Sequence, residues 1–262
     1  MDNYTKKLEI AIRAAVAAGN ILHKQTGDTF YLTRVKKESF RDIATEADIY
    51  AEKKIIEIIK QDDDSPIVSE ESGIYGNLDE KKNFWVVDPL DGTVNYTHNF
   101  PLYAVSVAYL EQGVPVVGVI YNPFLNELFY GAKELGVYKN HNKISIIDRT
   151  PSDALFAVSF SGKKYDDARL QEFINFKEIN DKTMGCLRTG SAALNLAYVA
   201  EGRFGGCFGR FNKIWDVAAG FVIAQLAGAV VDYSYNKNER FLVSYTATVP
   251  KSNDFLTSTV KF

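Results

Sequence analysis

Asp88 and Asp91 stand on either side of Pro89-Leu90 at the end of an apolar run, in the stretch WVVDPLDGTVN from Trp85 to Asn95. Two anions at a strand end repel one another and lose hydration, so such a pair persists only if it is solvated, hydrogen-bonded or bound to a cation. Further acids accompany it: Asp48 in DIATEAD, Glu70-Glu71 in VSEESG and Asp216 in IWDVAAG. Hard oxygen ligands without Cys or His beside them select magnesium, manganese or calcium rather than zinc. Magnesium held by few carboxylates completes its shell with water and substrate phosphate. Gly92-Thr93 adds an anion cradle, because glycine lets a phosphate approach the backbone and the N–H groups that open a helix point at it. On residue chemistry alone the combination points to metal-assisted hydrolysis of a phosphate ester, one ion acidifying the attacking water and another neutralising the leaving alkoxide.

The same residues have plainer readings, which stay open at this level. Asp88 to Gly92 suits a turn in which aspartates bond backbone amides. Asp216 suits the N-terminus of a helix, where a side-chain oxygen satisfies an orphan amide, and Glu70-Glu71 suits a solvated charge pair. GCLRTGS, residues 185 to 191, superficially resembles a phosphate loop but carries Ser where the lysine of that motif must stand, which argues against nucleotide triphosphate binding there. His23, His98 and His141 are dispersed along the chain, as surface or packing histidines are.

The 262 residues, 46% of them hydrophobic, suffice for one large domain or two smaller ones. The net charge of -3, with basic residues in scattered pairs such as Lys36-Lys37 and Lys163-Lys164, leaves no stripe to neutralise a nucleic-acid backbone, so no nucleic-acid polymer is expected as partner. No apolar run approaches the ~20 residues of a membrane span, and basic and apolar leader blocks are not seen, so a cytoplasmic protein is expected. Cys186 and Cys207 lie far apart without a CxxC pattern and read as structural thiols.

The elements that must position the acids follow from periodicity. Apolar residues at Leu8, Ile12, Ala15, Val16, Ile21 and Leu22 give residues 4 to 24 a helical face. Phe30 to Val35 reads as a strand and Lys36 to Asp42 as an exposed loop; Thr45 then precedes a helix through Ile55, Ile56 and Ile59. Ile67 to Ser69 and Phe84 to Val87 read as strands, and residues 103 to 147 as an antiparallel meander with helices on one side. After Thr150-Pro151 short strands alternate with helices: LFAVSF, then helices near Asp167 to Phe176, Ser191 to Ala200 and Val217 to Leu226. A boundary near Pro151 is expected between an α+β half, residues 1–150, with most of the acids, and an α/β half, residues 151–262, with Asp216.

VSEES, WVVDPLDGTVNYTHNFPLYAVSVA, RTGSAALNLAYVAEGR and IWDVAAG, in this order through most of the chain, resemble the inositol monophosphatase family of magnesium-dependent, lithium-sensitive phosphatases. The resemblance implies a layered αβαβα sandwich of the sugar-phosphatase type, an α/β fold, and commonly a homodimer. It implies two or three magnesium ions, with Glu70, Asp88 and the backbone carbonyl of Leu90 on the first, Asp88 bridging to a second completed by Asp91 and Asp216, and Glu70 facing a weaker third. Thr93, hydrogen-bonded to Asp48, would orient and deprotonate the attacking water, while the Gly92 and Thr93 amides hold the phosphate of a small substrate. Gly190, Ser191 and Ala192 would line its alcohol portion, and Lys37 matches the basic residue of a metal-binding loop. Intact Asp48 and Thr93 argue against a rival of another class, an inert metal- and anion-binding scaffold.

One departure bears on substrate. Inositol-selective members usually carry a glutamate seven residues before the aspartate of the Trp-Asp motif; here that residue is Gly209, in CFGRFNKIWD. The neighbouring Arg210 offers a cation suited to a second phosphate, although its plainer reading is a side chain in solvent. A broad or bisphosphate-leaning enzyme is expected: inositol-1-monophosphatase-like, or a 3'(2'),5'-bisphosphate nucleotidase, fructose-1,6-bisphosphatase or NADP phosphatase.

Overall fold

The computed structural model describes residues 3–25, 34–39, 42–79, 82–160 and 166–262. Helix α1 (Asn3–Gln25) buries Leu8, Ile10, Ala11, Ala14, Ala15, Ala18 and Leu22; the expected face shares Leu8, Ala15 and Leu22 with this stripe, while Ile12, Val16 and Ile21 flank it half-buried. Strands β1 (Arg34–Ser39) and β2 (Asp42–Thr45) pair antiparallel. Thr45 then caps α2 (Glu46–Asp62): the Asp48 N–H donates to its hydroxyl at 3.4 Å while the Thr45 N–H donates to the Asp48 carboxylate at 2.8 Å.

An eight-stranded mixed sheet follows, with β3 (Ile67–Ser69), β4 (Gly73–Tyr75), β5 (Phe84–Asp91), and, after the short helix α3 (Thr93–Thr97), β6 (Ala104–Glu111), β7 (Val114–Asn122), β8 (Glu127–Ala132), β9 (Gly136–Lys139) and β10 (Asn142–Lys143). Its order is β10-β9-β8-β7-β6-β5-β3-β4, with β3 and β5 parallel. The expected boundary near Pro151 falls on a single 3-10 turn, Pro151–Asp153. A five-stranded sheet is built from β11 (Leu155–Ser159), β12 (Gly185–Leu187), β13 (Gly206–Lys213), β14 (Val230–Tyr235) and β15 (Leu242–Thr248), in the order β12-β11-β13-β15-β14. Helices α4 (Asp166–Lys182), α5 (Ala192–Ala200), α6 (Ile214–Ala227) and α7 (Asn253–Thr259) complete the chain.

The layers are α, β, α, β, α, as the resemblance implies. Trp85, Val87, Val105, Val107, Val117 and Val119 pack with α1 and α2 on one face of the large sheet. Phe84, Val86, Ala104, Ala108 and Ile120 pack with α5 and α6 on the other, a core shared with Cys207, Val243, Tyr245 and Ala247 of the second sheet. Phe156, Val158 and Phe208 close against Ile179 of α4 and Leu256 of α7. Helix α6 is apolar almost all round because it is the filling between two sheets.

Three local expectations change. The large sheet carries helices on both faces, not one; the strands alternate between two apolar faces, so their runs read as uniformly buried. The polar stretch from Lys36 is strand through Ser39, since backbone pairing with β2 requires no apolar face. The helix expected to end near Phe176 continues to Lys182. Most of the strand expected over Phe30 to Val35 lies outside the described residues.

A charged staple ties β8 and β9 to the end of α5. Glu127 accepts from Lys139 at 2.7 Å and from both terminal nitrogens of Arg203, while Lys139 and Arg203 also reach Glu201, at 2.5 and 2.8 Å. Burial pushes the Glu127 carboxyl up, but the hydrogen bonds and charges of Arg203 and Lys139 outweigh it and hold the group below the usual carboxylate range. A depressed folded pKa stabilises above the unfolded value and is lost as pH falls through the folded one. Glu127→Gln should therefore cost ~1–3 kcal/mol at neutral pH, a buried-pair loss discounted for the exposure of Arg203. Thermal melts should show the two proteins converging near pH 3; a gap that persists there would mean packing, not charge.

Candidate active site

Strand pairing brings the first acids together. The register Val68 to Val86 and Ser69 to Val87 places Glu70, just past the end of β3, alongside Asp88 in β5, one step beyond the last parallel pair of the two strands, close to where such sheets commonly hold ligands. Val68 and Val86 both face the α5 and α6 layer, and the two-residue period carries Glu70 and Asp88 to that side.

Residues three apart on a strand would face opposite ways, but Asp88 pairs with Ser106 and Asp91 with Ala104, three steps on β5 against two on β6. This one-residue bulge falls between Asp88 and Asp91, a stretch that contains Pro89, which has no N–H to donate to the ladder. It turns Asp91 back to the face of Asp88 and sends Leu90 into the opposite core. Asp88 accepts the Leu90 N–H at 2.8 Å. Asp91 accepts the Ser191 hydroxyl at 2.5 Å and the Ala193 N–H at 2.8 Å, at the opening of α5. Asp216 sits in the first turn of α6 and accepts the Lys213 N–H at 3.0 Å. The plainer readings as turn and cap are thus real, and they coexist with the clustering.

The cluster is electrostatically costly. Burial raises Asp88 well above the ordinary carboxylate range, and the charges of Glu70, Asp91 and Asp216 raise it further; Glu70 lies within hydrogen-bond reach of it. Burial, then Asp91 and Glu70, raises Asp216 likewise, with Lys213 opposing. Burial lifts Asp91 to about 6 against the hydrogen bonds from Ser191, Ala193 and Ala192. Among the described residues no three acidic, His or Cys side chains converge to metal-ligand geometry. The fit to a cation rests instead on donor chemistry: oxygen-only, buried and self-repelling acids are what a hard divalent ion neutralises.

Asp48 and Thr93 meet at the edge of this cluster. Asp48 is fully buried, burial lifts it to about 6, and its second oxygen lies 3.3 Å from the Thr93 hydroxyl. That hydroxyl also lies 3.0 Å from the Leu90 carbonyl. Gly92 has φ +94°, and a Cβ there would stand 2.9 Å from the Leu102 carbonyl, so a side chain would be excluded on both counts. Gly190 is close by, its carbonyl 3.4 Å from that same point. Asn95, which sequence reasoning passed over, holds the two loops together by donating to the Leu102 carbonyl at 2.6 Å and the Thr189 carbonyl at 2.8 Å.

On the far side, β13 carries a bulge between Gly209 and Asn212, with Phe211 at φ +56°. A Cβ on Gly209 would lie 2.1 Å from the Asn212 amide oxygen and 2.7 Å from the Tyr245 ring, so no side chain fits there without movement. The Arg210 guanidinium lies 4.8 Å from the centre of the Phe211 ring. Lys37 belongs to β1, and its side chain lies outside the described residues.

The sequence model of the inositol monophosphatase family matches residues 3–260. The chain belongs to this family. It is a phosphatase of the inositol monophosphatase type, a phosphoric monoester hydrolase. Among similar proteins, "Inositol-1-monophosphatase" of Synechocystis sp. is 40% identical over 227 residues, 86% of this chain and 77% of that one. "Fructose-1,6-bisphosphatase/inositol-1-monophosphatase" of Aquifex aeolicus is 37% identical over 238 residues, 88% of this chain and 86% of that one. The solved structure of extragenic suppressor protein suhB from Bartonella henselae superposes with a TM-score of 0.87 at 31% identity, covering 98% of both chains. No described helix is long and apolar enough to cross a membrane.

Proposed function

We propose that the protein is a magnesium-dependent phosphatase that hydrolyses the phosphate monoester of a small polyol, sugar or nucleotide at the carboxylate cluster. The observation that carries this is the gathering of Glu70, Asp88, Asp91 and Asp216 in one electrostatic field with the Asp48 and Thr93 pair at its edge. Glu70, Asp88, Asp91, Asp216 and the Leu90 carbonyl would hold the metal. Magnesium, when bound, supplies Lewis acidity that lowers the pKa of water and neutralises a leaving alkoxide.

The chain's own groups do the rest. Thr93 donates its hydroxyl hydrogen to Asp48, which leaves the Thr93 oxygen lone pairs to accept a hydrogen bond from the attacking water and aim it. Asp48, with its pKa near 6, is basic enough to receive a proton relayed through that hydroxyl. Gly92 leaves the backbone open, so that its N–H and that of Thr93 approach the phosphate. Gly190, Ser191 and Ala192 bound the space for the alcohol, with Asn95 holding that loop against the phosphate side.

For substrate we infer a broad or bisphosphate-leaning enzyme. Gly209 supplies no acceptor for substrate hydroxyls, a side chain there would displace Asn212 and Tyr245, and its neighbour Arg210 is a cation. The Aquifex relative named for both activities supports this reading. We expect kcat/KM for fructose 1,6-bisphosphate, adenosine 3',5'-bisphosphate or NADP to equal or exceed that for inositol 1-phosphate. In Arg210→Ala the preferred bisphosphate should lose ~10- to 100-fold, the worth of a charge-assisted hydrogen bond, with inositol 1-phosphate little changed. Strong preference for inositol 1-phosphate, unaltered by the substitution, would contradict it.

A further inference from the structure

Glu52 is a carboxylate with 1% of its surface exposed, one helical turn beyond Asp48 on α2. One of its oxygens accepts the Ser69 hydroxyl together with the N–H groups of Glu71 and Ser72, each at 3.1 Å; the other accepts the Ser72 hydroxyl. All four donors are neutral, and all belong to the residues flanking Glu70. Burying a carboxylate against neutral donors is expensive unless the bonds are complete, and here they enclose the three-residue hairpin turn that links β3 to β4. Asp48, four residues earlier and so on the same helical face, receives the Thr93 hydroxyl.

We propose that Glu52 is a positioning residue: it clamps the turn so that the Glu70 carboxylate is held against Asp88, and α2 thereby fixes Glu70 and Thr93 relative to each other through two carboxylates on one face. This rests on the reading of Glu70 and Asp88 as magnesium ligands. Sequence alone hides it, because a glutamate in an amphipathic helix is ordinarily a surface residue.

The test is magnesium affinity by titration calorimetry, with thermal melts alongside, for wild type, Glu52→Ala, Glu52→Gln, Glu70→Gln and the Glu52→Ala/Glu70→Gln pair. Glu52→Ala should weaken magnesium binding ~10- to 100-fold at a temperature where it is fully folded, the scale seen when a group supporting a metal ligand is lost. Glu52→Gln should stay within about threefold, since its amide oxygen keeps three of the bonds and its NH2 can donate to the Ser72 hydroxyl. Once Glu70 is Gln, Glu52→Ala should add little, the non-additivity of groups acting through one another. A lower melting temperature with unchanged magnesium affinity would reduce Glu52 to a structural role. Equal losses in Gln and Ala would make its charge, not its clamp, the cause, and additive losses would uncouple it from Glu70; each overturns the proposal. Should Glu52→Ala not fold, Ser72→Ala removes one clamp bond and is expected to weaken binding by a few fold, with no change overturning the proposal. Absence of magnesium binding in wild type would overturn the underlying metal reading and this inference with it, whereas normal wild-type binding untouched by Glu52→Ala overturns this inference alone.

Discussion

Asp88→Asn is expected to abolish turnover while leaving the fold intact. The substitution is nearly isosteric, and its amide oxygen can still accept the Leu90 N–H that orders the turn. What disappears is one negative charge from a buried set in which Glu70, Asp91 and Asp216 already repel Asp88. In saturating magnesium kcat should fall by at least 10²- to 10³-fold, roughly the loss when one preorganised electrostatic group is removed, and calorimetry should show magnesium binding weakened or lost. Stability should move the other way. In chelator, acids such as Asp91, raised by burial from 3.8 to about 6, bind more protons folded than unfolded; their stabilising contribution is present at low pH and lost as pH rises through 6. Without magnesium, wild type should therefore lose stability over that range, and Asp88→Asn should lose less. A melting temperature for the variant well below wild type in chelator at pH 7, or full activity, would contradict the reading.

The second large effect is expected at Thr93. Its hydroxyl lies between Asp48 and the Leu90 carbonyl, so Thr93→Ala removes the group proposed to aim the water without removing a carboxylate. The rate should fall by on the order of 10² to 10⁴, the usual worth of positioned proton transfer, with KM and magnesium affinity nearly unchanged and Thr93→Ser recovering much of the rate. With Asp48 near 6, wild-type kcat/KM should decline as pH drops below that value, and the decline should flatten in Thr93→Ala. Lost magnesium binding with kcat intact in saturating metal would make Thr93 a structural cap instead.

The acids of the proposed site were legible as candidates because each stands at a chemically marked place: Glu70, Asp88 and Asp91 at the ends of apolar strands, Asp216 opening an apolar helix. The bulge between Asp88 and Asp91 that turns Asp91 toward Asp88 was not, since a two-residue strand period alone predicts opposite faces for residues three apart. Thr45 announced α2 through its capping chemistry, whereas β1 was hidden because Lys36 and Lys37 give no apolar alternation to read. Helices on the second face of the large sheet escaped because β5, buried on both sides, reads as one continuous apolar run. Asn95 and Glu52 were invisible for a different reason. Each acts by bonding to segments distant in sequence, up to the Thr189 carbonyl for Asn95, and neither belongs to a pattern of spacing that implies chemistry.

Phosphate release bears most directly on the metal-dependent hydrolysis proposed for this cluster. Purified protein would be given inositol 1-phosphate, fructose 1,6-bisphosphate and a generic aryl phosphate in millimolar magnesium, then in excess chelator, then with magnesium restored. Release is expected from at least one ester in magnesium, near background in chelator, and recovered on restoration. Release that continues undiminished in chelator, or no release from any ester by a protein shown to be folded, would contradict it.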